Sequence, residues 1–213
     1  MKKPASPRAW AVWIPVAVIL PALVSLYFIF FADGVFANRH LDSATIEYIF
    51  ACAIFSACLA AGFGEELLFR GFVMRILEVH FGKIAAVLVP SIIFVLMHLT
   101  NMQNPNLLDI LLLFVAGTSV SITFSLICYQ SGSIFPGAVV HGIWNLIIIG
   151  QILTIGVNPR NANIFTYTLQ TKSVLLTGGA FGIEASFPEV IGYAAVIILA
   201  LLLINGKYKI KGR

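Results

Sequence analysis

The chain has 213 residues, 60% of them hydrophobic and only 10% charged, with a mean hydropathy of +0.98. A soluble domain carries about 25% charge, so these proportions exclude an ordinary water-soluble fold and make lipid the expected solvent. The net charge of +4 gathers at the ends, in Lys2, Lys3 and Arg8 and in Lys207, Lys209, Lys211 and Arg213. Basic residues flanking apolar spans set topology; with no basic stripe carrying base-stacking aromatics, they do not make a nucleic-acid surface.

Six apolar stretches follow in chain order: 11–31, 44–62 (running on toward 77), 84–99, 107–129, 134–155 and 190–204. The first exceeds the ~7–15 residues of a signal-peptide core and has no clean small-x-small cleavage site, so it reads as a retained span. Runs this long without barrel-type alternation predict helices, because a backbone in hydrocarbon must satisfy its polar groups internally. The expected fold is all-α: a polytopic transmembrane helical bundle of about six spans. It forms one membrane domain over 1–213, with re-entrant or broken helices as the open alternative. Segment 156–188, rich in Asn, Thr and Gly, reads as an outer loop. The basic ends put both termini in the cytoplasm, and the turn near Arg75 and Lys83 falls on the same side. The expected location is a bacterial cell membrane.

Cys52, Cys58 and Cys128 lie within apolar runs, without metal-ligand or disulfide spacing, and read as small buried hydrophobes. His40 and His80 read as solvated residues of connections, and Phe94 as packing. Trp10, Trp13 and Tyr208 read as membrane-interface markers, and Asp109 as a cap or border of the fourth span.

Ionisable residues inside spans are costly and by default functional. Three groups qualify: Glu65, Glu66 and Arg70; His98, with Phe94 four residues before it; and His141 with Asn145. If the second span runs to a turn at 78–83, Glu65 lies roughly 20 Å before that turn and His98 roughly 22 Å after it. His141 and Asn145 lie roughly 12 and 18 Å from the next turn, so a tilted or displaced fifth span is needed to bring the histidine level. Glu66 and Arg70 share a helix face and can pair, leaving Glu65, about 100° away, free to act as a general base. His141 and Asn145 also share a face and supply donors for an oxyanion, with His98 across from Glu65 to hold water. No serine or cysteine has a comparable constellation, which favours a water nucleophile.

These residues match the pattern EExxxR, FxxxH and HxxxN/D in order. The chain thereby resembles, over residues 57–149, the CPBP family of type II CAAX prenyl endopeptidases and bacteriocin self-immunity relatives. The resemblance implies an intramembrane endopeptidase with Glu65 as catalytic glutamate and His98 sharing its water. It implies oxyanion roles for His141 and Asn145, and a supporting role for Glu66 and Arg70. No cofactor is favoured. Zinc held by Glu65, His98 and His141 is the alternative, although no HExxH pair is present. The glycine-rich segment 176–186 resembles a stretch in some bacterial members and reads as an ordered loop, with substrate gating as a second reading. Its outer position, away from a cytoplasm-facing site, counts against direct catalysis. The expected partner is a peptide or protein substrate, prenylated or membrane-embedded. A catalytically silent immunity protein and a proton-coupled transporter are the competing functions.

Overall fold

The computed structural model describes residues 4–38, 40–157 and 163–211. Lys2, Lys3 and Arg213, and the side chains of Lys207, Tyr208, Lys209 and Lys211, lie outside the described residues. Helix α1 (Pro7–Phe31) starts where the Ser6 hydroxyl accepts the Ala9 N–H at 3.2 Å. Pro7 occupies the first turn, where its missing N–H costs nothing. A continuous helical run, Ser43–Leu99, follows. Gly82 divides it, at φ 79° and ψ 177°, a conformation that glycine adopts without a Cβ clash. The two limbs are α2 (43–81) and α3 (83–99), so the turn forms inside the expected segment 78–83.

Helix α4 (Leu107–Ser131) opens on a capping box between Asn106 and Asp109 and closes on left-handed Gly132. The sequence expectation for Asp109 therefore holds. Helix α5 (Phe135–Ile149) is a shorter apolar helix, α6 is a single turn (Val174–Thr177) and α7 spans Phe187–Lys211. Among the described residues, four helical runs are long and apolar enough to cross a membrane: α1, the α2–α3 run, α4 and Phe187–Gly206 of α7. All six apolar stretches are thus helical for most of their length, in an integral membrane bundle. Large apolar side chains such as Phe30, Phe55 and Leu202 project outward, while Glu66 and Arg70 are fully buried. That inversion of the soluble pattern suits a lipid surround.

Three expectations need correction. The fifth run does not stay helical to residue 155: it ends at Gly150, Gln151 takes a φ of 64°, and Leu153–Gly156 forms strand β2. Residues 156–188 are not plain loop, since Phe165–Leu169 forms β3. Strand β3 pairs in parallel with β2 and antiparallel with β1 (Gly34–Asn38), the segment that leaves α1. The Tyr167 hydroxyl donates to the Ala32 carbonyl at 2.8 Å, tying the small sheet to the end of α1. Trp13 is also not an interface marker. It is wholly buried, and its indole N–H donates to Gln130 Oε1 at 2.9 Å.

Candidate active site

Glu65 and Glu66 sit on a three-residue α-turn, Gly64–Glu66, between the π-helical stretches Cys52–Phe63 and Leu67–Val73. Such wide turns are rare and concentrate at functional sites. The two carboxylates diverge, as their sequence spacing predicts. Glu66 is fully buried and its Oε1 accepts from Arg70 Nη1 at 2.8 Å. Arg70 is anchored in turn by Nη2, which donates to the carbonyl and the hydroxyl of Ser121 on α4, both at 2.7 Å. The rings of Phe69, Phe94 and Phe124 surround the guanidinium at 5.3–5.8 Å. Glu65 instead reaches a cavity of about 830 Å³, and its Oε2 is buried without a hydrogen-bond partner among the described residues.

The same cavity is lined by His98, His141 and Asn145. The structure therefore brings together the residues singled out on three separate stretches of sequence. His98 lies one residue before the end of α3. Its Nδ1 is 2.8 Å from the Phe94 carbonyl, an oxygen that can only accept, so Nδ1 carries the proton and Nε2 is left as an acceptor for the cavity. The imidazole stacks on Phe94, ring centroids 4.2 Å apart. Phe94 is thus more than filler, since it fixes the histidine by both its carbonyl and its ring.

His141 stacks on Phe124 at 4.7 Å, and its Nδ1 lies 3.2 Å from Glu66 Oε1. Glu66 is therefore not paired with Arg70 alone, but links the guanidinium to the imidazole. The contact also removes the depth mismatch expected for His141, which is level with Glu66. Backbone proximity explains how. A Cβ on Gly62 would lie 2.7 Å from Gly142 Cα, and one on Gly142 would lie 2.9 Å from Cys58 Sγ. Helices α2 and α5 meet at these glycines, as small residues allow in membranes. Asn145 donates from Nδ2 to the Ala57 carbonyl at 3.1 Å, which commits one amide hydrogen and leaves the second.

Glu184 was missed among the site residues. It lies on the turn Ile183–Ala185, lines the cavity, and accepts from the Trp144 indole N–H at 2.9 Å. Burial pushes its carboxyl above the ordinary carboxylate range, opposed by the Trp144 hydrogen bond and by His98 and His141. Trp144, three residues after His141 and next to Asn145, presents this contact from the same helix. Glu184 stands in the glycine-rich segment, and the only sequence signal was one acidic residue in an otherwise uncharged stretch.

That segment forms part of the cavity wall, against the expectation that it lies away from the site. Gly178, Gly179 and Gly182 all have positive φ, and a Cβ on Gly178 would overlap the Gly182 carbonyl. Asp109 Oδ1 accepts the Ala180 N–H at 3.1 Å, and the Phe181 ring meets His98 edge-on at 6.0 Å. The ordered-loop reading holds.

Among the described residues, no three His, Cys, Asp or Glu side chains converge as a metal-ion site requires. Glu65, His98 and His141 share the cavity without forming that set. Cys52, Cys58 and Cys128 are free thiols.

Residues 45–147 match the family model of Rce1-like type II CAAX prenyl endopeptidases. The matched span takes in all three motifs and agrees with the CPBP resemblance of the sequence. No curated protein and no solved structure matches the chain. The match points to CAAX-type protease activity in the membrane.

Proposed function

We propose, from the place of residues 45–147 in the Rce1-like type II CAAX prenyl endopeptidase family, that this protein cleaves peptide bonds by a glutamate-activated water. The observation that carries the reading is the convergence of Glu65, His98, His141 and Asn145 on one cavity. Glu65 Oε2 lacks a partner among the described residues, and a buried carboxylate oxygen left so is satisfied by water or ligand. His98, with Nε2 as acceptor, takes a second hydrogen bond from that water. Glu65 removes a proton, the water oxygen bonds to the carbonyl carbon, and the C–N bond breaks as Glu65 returns the proton to the leaving amine.

The oxyanion needs donors. The free amide hydrogen of Asn145 is one. For His141 the contact of Nδ1 with Glu66 means that only Nε2 serves, and a proton there together with one on Nδ1 makes an imidazolium. The Glu66 carboxylate, held by Arg70, is the countercharge for that cation. Glu66 and Arg70 therefore act by positioning. Zinc on Glu65, His98 and His141 is the competing account of the same residues.

The test compares purified wild type with Glu65→Gln on a quenched library of prenylated and unprenylated peptides in nanodiscs. Wild-type cleavage is expected to fall at least 100-fold in the variant, on the order of a lost general base, with folding preserved and activity retained in strong chelator. Equal cleavage by the two proteins overturns the role of Glu65. Loss of activity in chelator, with recovery on adding zinc, replaces the metal-free account.

A further inference from the structure

The two ends of the bundle differ in charge, and the cavity belongs to one of them. Arg75 approaches Cys128 Sγ at 3.6 Å, and Lys83 Nζ lies 5.9 Å from the Tyr129 ring. The α2–α3 turn therefore sits beside the last turn of α4. Trp13, early in α1, bonds Gln130 there too, and Ala9 and Trp13 pack with Val196 and Ala200 of α7. The start of α1, the α2–α3 turn and the C-terminal half of α7 consequently share one end. Of 13 Lys and Arg residues, the segments at that end carry, by sequence, Lys2, Lys3 and Arg8, then Arg75 and Lys83, then Lys207, Lys209, Lys211 and Arg213. Arg70 is buried in the bundle. Only Arg39, Arg160 and Lys172 fall, by sequence, in the connections of the other end.

That other end carries the small sheet, the α3–α4 connection and the glycine-rich segment. His98 stands at the end of α3 there, with Asn101, Gln151, Val157 and Phe181 lining the cavity. An excess of Lys and Arg in short flanks and turns marks the cytoplasmic side of a membrane protein. The cavity wall has a second property. It contains Glu65 and Glu184 and no Lys or Arg among the described lining residues, the rest being largely apolar, with Phe94, Leu113 and Phe124 as examples. A substrate's terminal carboxylate would meet the carboxyl groups of Glu65 and Glu184 there and no Lys or Arg among the described lining residues, leaving only the His141 imidazolium, already balanced by Glu66, whereas a neutral internal segment desolvates cheaply.

We infer that the cavity opens on the face of the membrane away from the cytoplasm and takes an internal, apolar, unprenylated segment of a polypeptide presented there. This rests on the endopeptidase reading and narrows its substrate. It runs against a prenylated C-terminal tail, whose lipid anchors it to the cytoplasmic leaflet. The expectation of a cytoplasm-facing site is reversed, while both termini stay cytoplasmic.

Two readouts separate the orientation from the activity. In a variant with Cys52, Cys58 and Cys128 changed to Ser, Ser173→Cys and His80→Cys place single thiols at exposed positions on opposite ends. A membrane-impermeant maleimide added to intact spheroplasts should label residue 173 and not residue 80, with both labelled after permeabilisation. Labelling of residue 80 alone, or of both before permeabilisation, overturns the inference without touching the protease reading. The wild-type protein in right-side-out vesicles should cleave unprenylated internal-site peptides added outside as fast as after permeabilisation. Inside-out vesicles should cleave them only once opened. Preference by tenfold or more for a farnesylated peptide with a free carboxyl terminus, or cleavage confined to sealed inside-out vesicles, overturns the substrate assignment. No cleavage of any peptide in opened vesicles defeats the endopeptidase reading itself, and the maleimide pattern still decides the orientation.

Discussion

Glu66 takes both of its strong contacts on a single oxygen, Oε1, from Arg70 and from His141. Removing the guanidinium leaves a carboxylate in a membrane interior with only an imidazole, and breaking a buried pair in this way costs about 3–5 kcal/mol. Arg70→Ala should therefore lower the melting temperature sharply in detergent. Arg70→Lys should recover little, because one ammonium cannot reproduce a fork that spans Glu66 and Ser121. Glu184 offers a pH test. Its carboxyl is raised by burial, so above the ordinary glutamate range the native state holds a proton that the unfolded chain has lost. The stability this contributes is complete below the unfolded pKa and is lost as pH rises through the folded one. Glu184→Gln keeps an oxygen for the Trp144 N–H and removes the titration. The variant should match wild type in acid and melt higher than wild type at neutral pH. Melting curves across pH check this, and a wild-type advantage at neutral pH would contradict it.

At the scale of elements, the site depends on where backbones touch. Helix α5 can bring His141 to Glu66 because Gly142 faces Gly62 with no room for a Cβ. Gly142→Ala should cost about 1–3 kcal/mol, as overpacking does, and should lower turnover by moving His141 and Asn145 together. Thermal unfolding and a kcat comparison read the two effects. The glycine-rich segment is held differently, through Asp109, whose two carboxylate oxygens accept from Ala180 and from Asn106. Asp109→Asn replaces one acceptor by a donor facing an N–H. The segment 178–184 should then exchange its amide hydrogens faster, while α2 and α3 remain protected. Uniform acceleration across the bundle would mean that Asp109 holds the fold rather than the loop. The helices themselves were legible from apolar runs, and the α2–α3 turn from its polar residues. The strands were not, because each is only four or five residues long, too short for an alternating pattern to stand out.

For the whole molecule the outward face is apolar and the interior holds the charge. Ile198, near the middle of α7, is 58% exposed. Ile198→Arg at such a depth should cost roughly 2.5–3.5 kcal/mol of insertion free energy, seen as a loss of membrane-inserted protein. In a water-soluble fold the same change at an exposed position would be close to neutral. The basic end and the sheet end give the molecule a polarity along the membrane normal, and the cavity lies toward the sheet end.

Composition and the order of three motifs determined that this is a helical membrane protein with a polar site, and they named Glu65, Glu66, Arg70, His98, His141 and Asn145. Those features are local: hydropathy sets which segments enter lipid, and helical spacing sets which neighbours share a face. Tertiary structure alone decided that Glu66 bridges Arg70 and His141, that Trp13 is internal, and that Glu184 and the glycine-rich turn wall the cavity. Each of these joins residues 40 to 117 positions apart. Such contacts depend on how helices cross and how closely glycines let them approach, quantities that no local pattern of residues encodes.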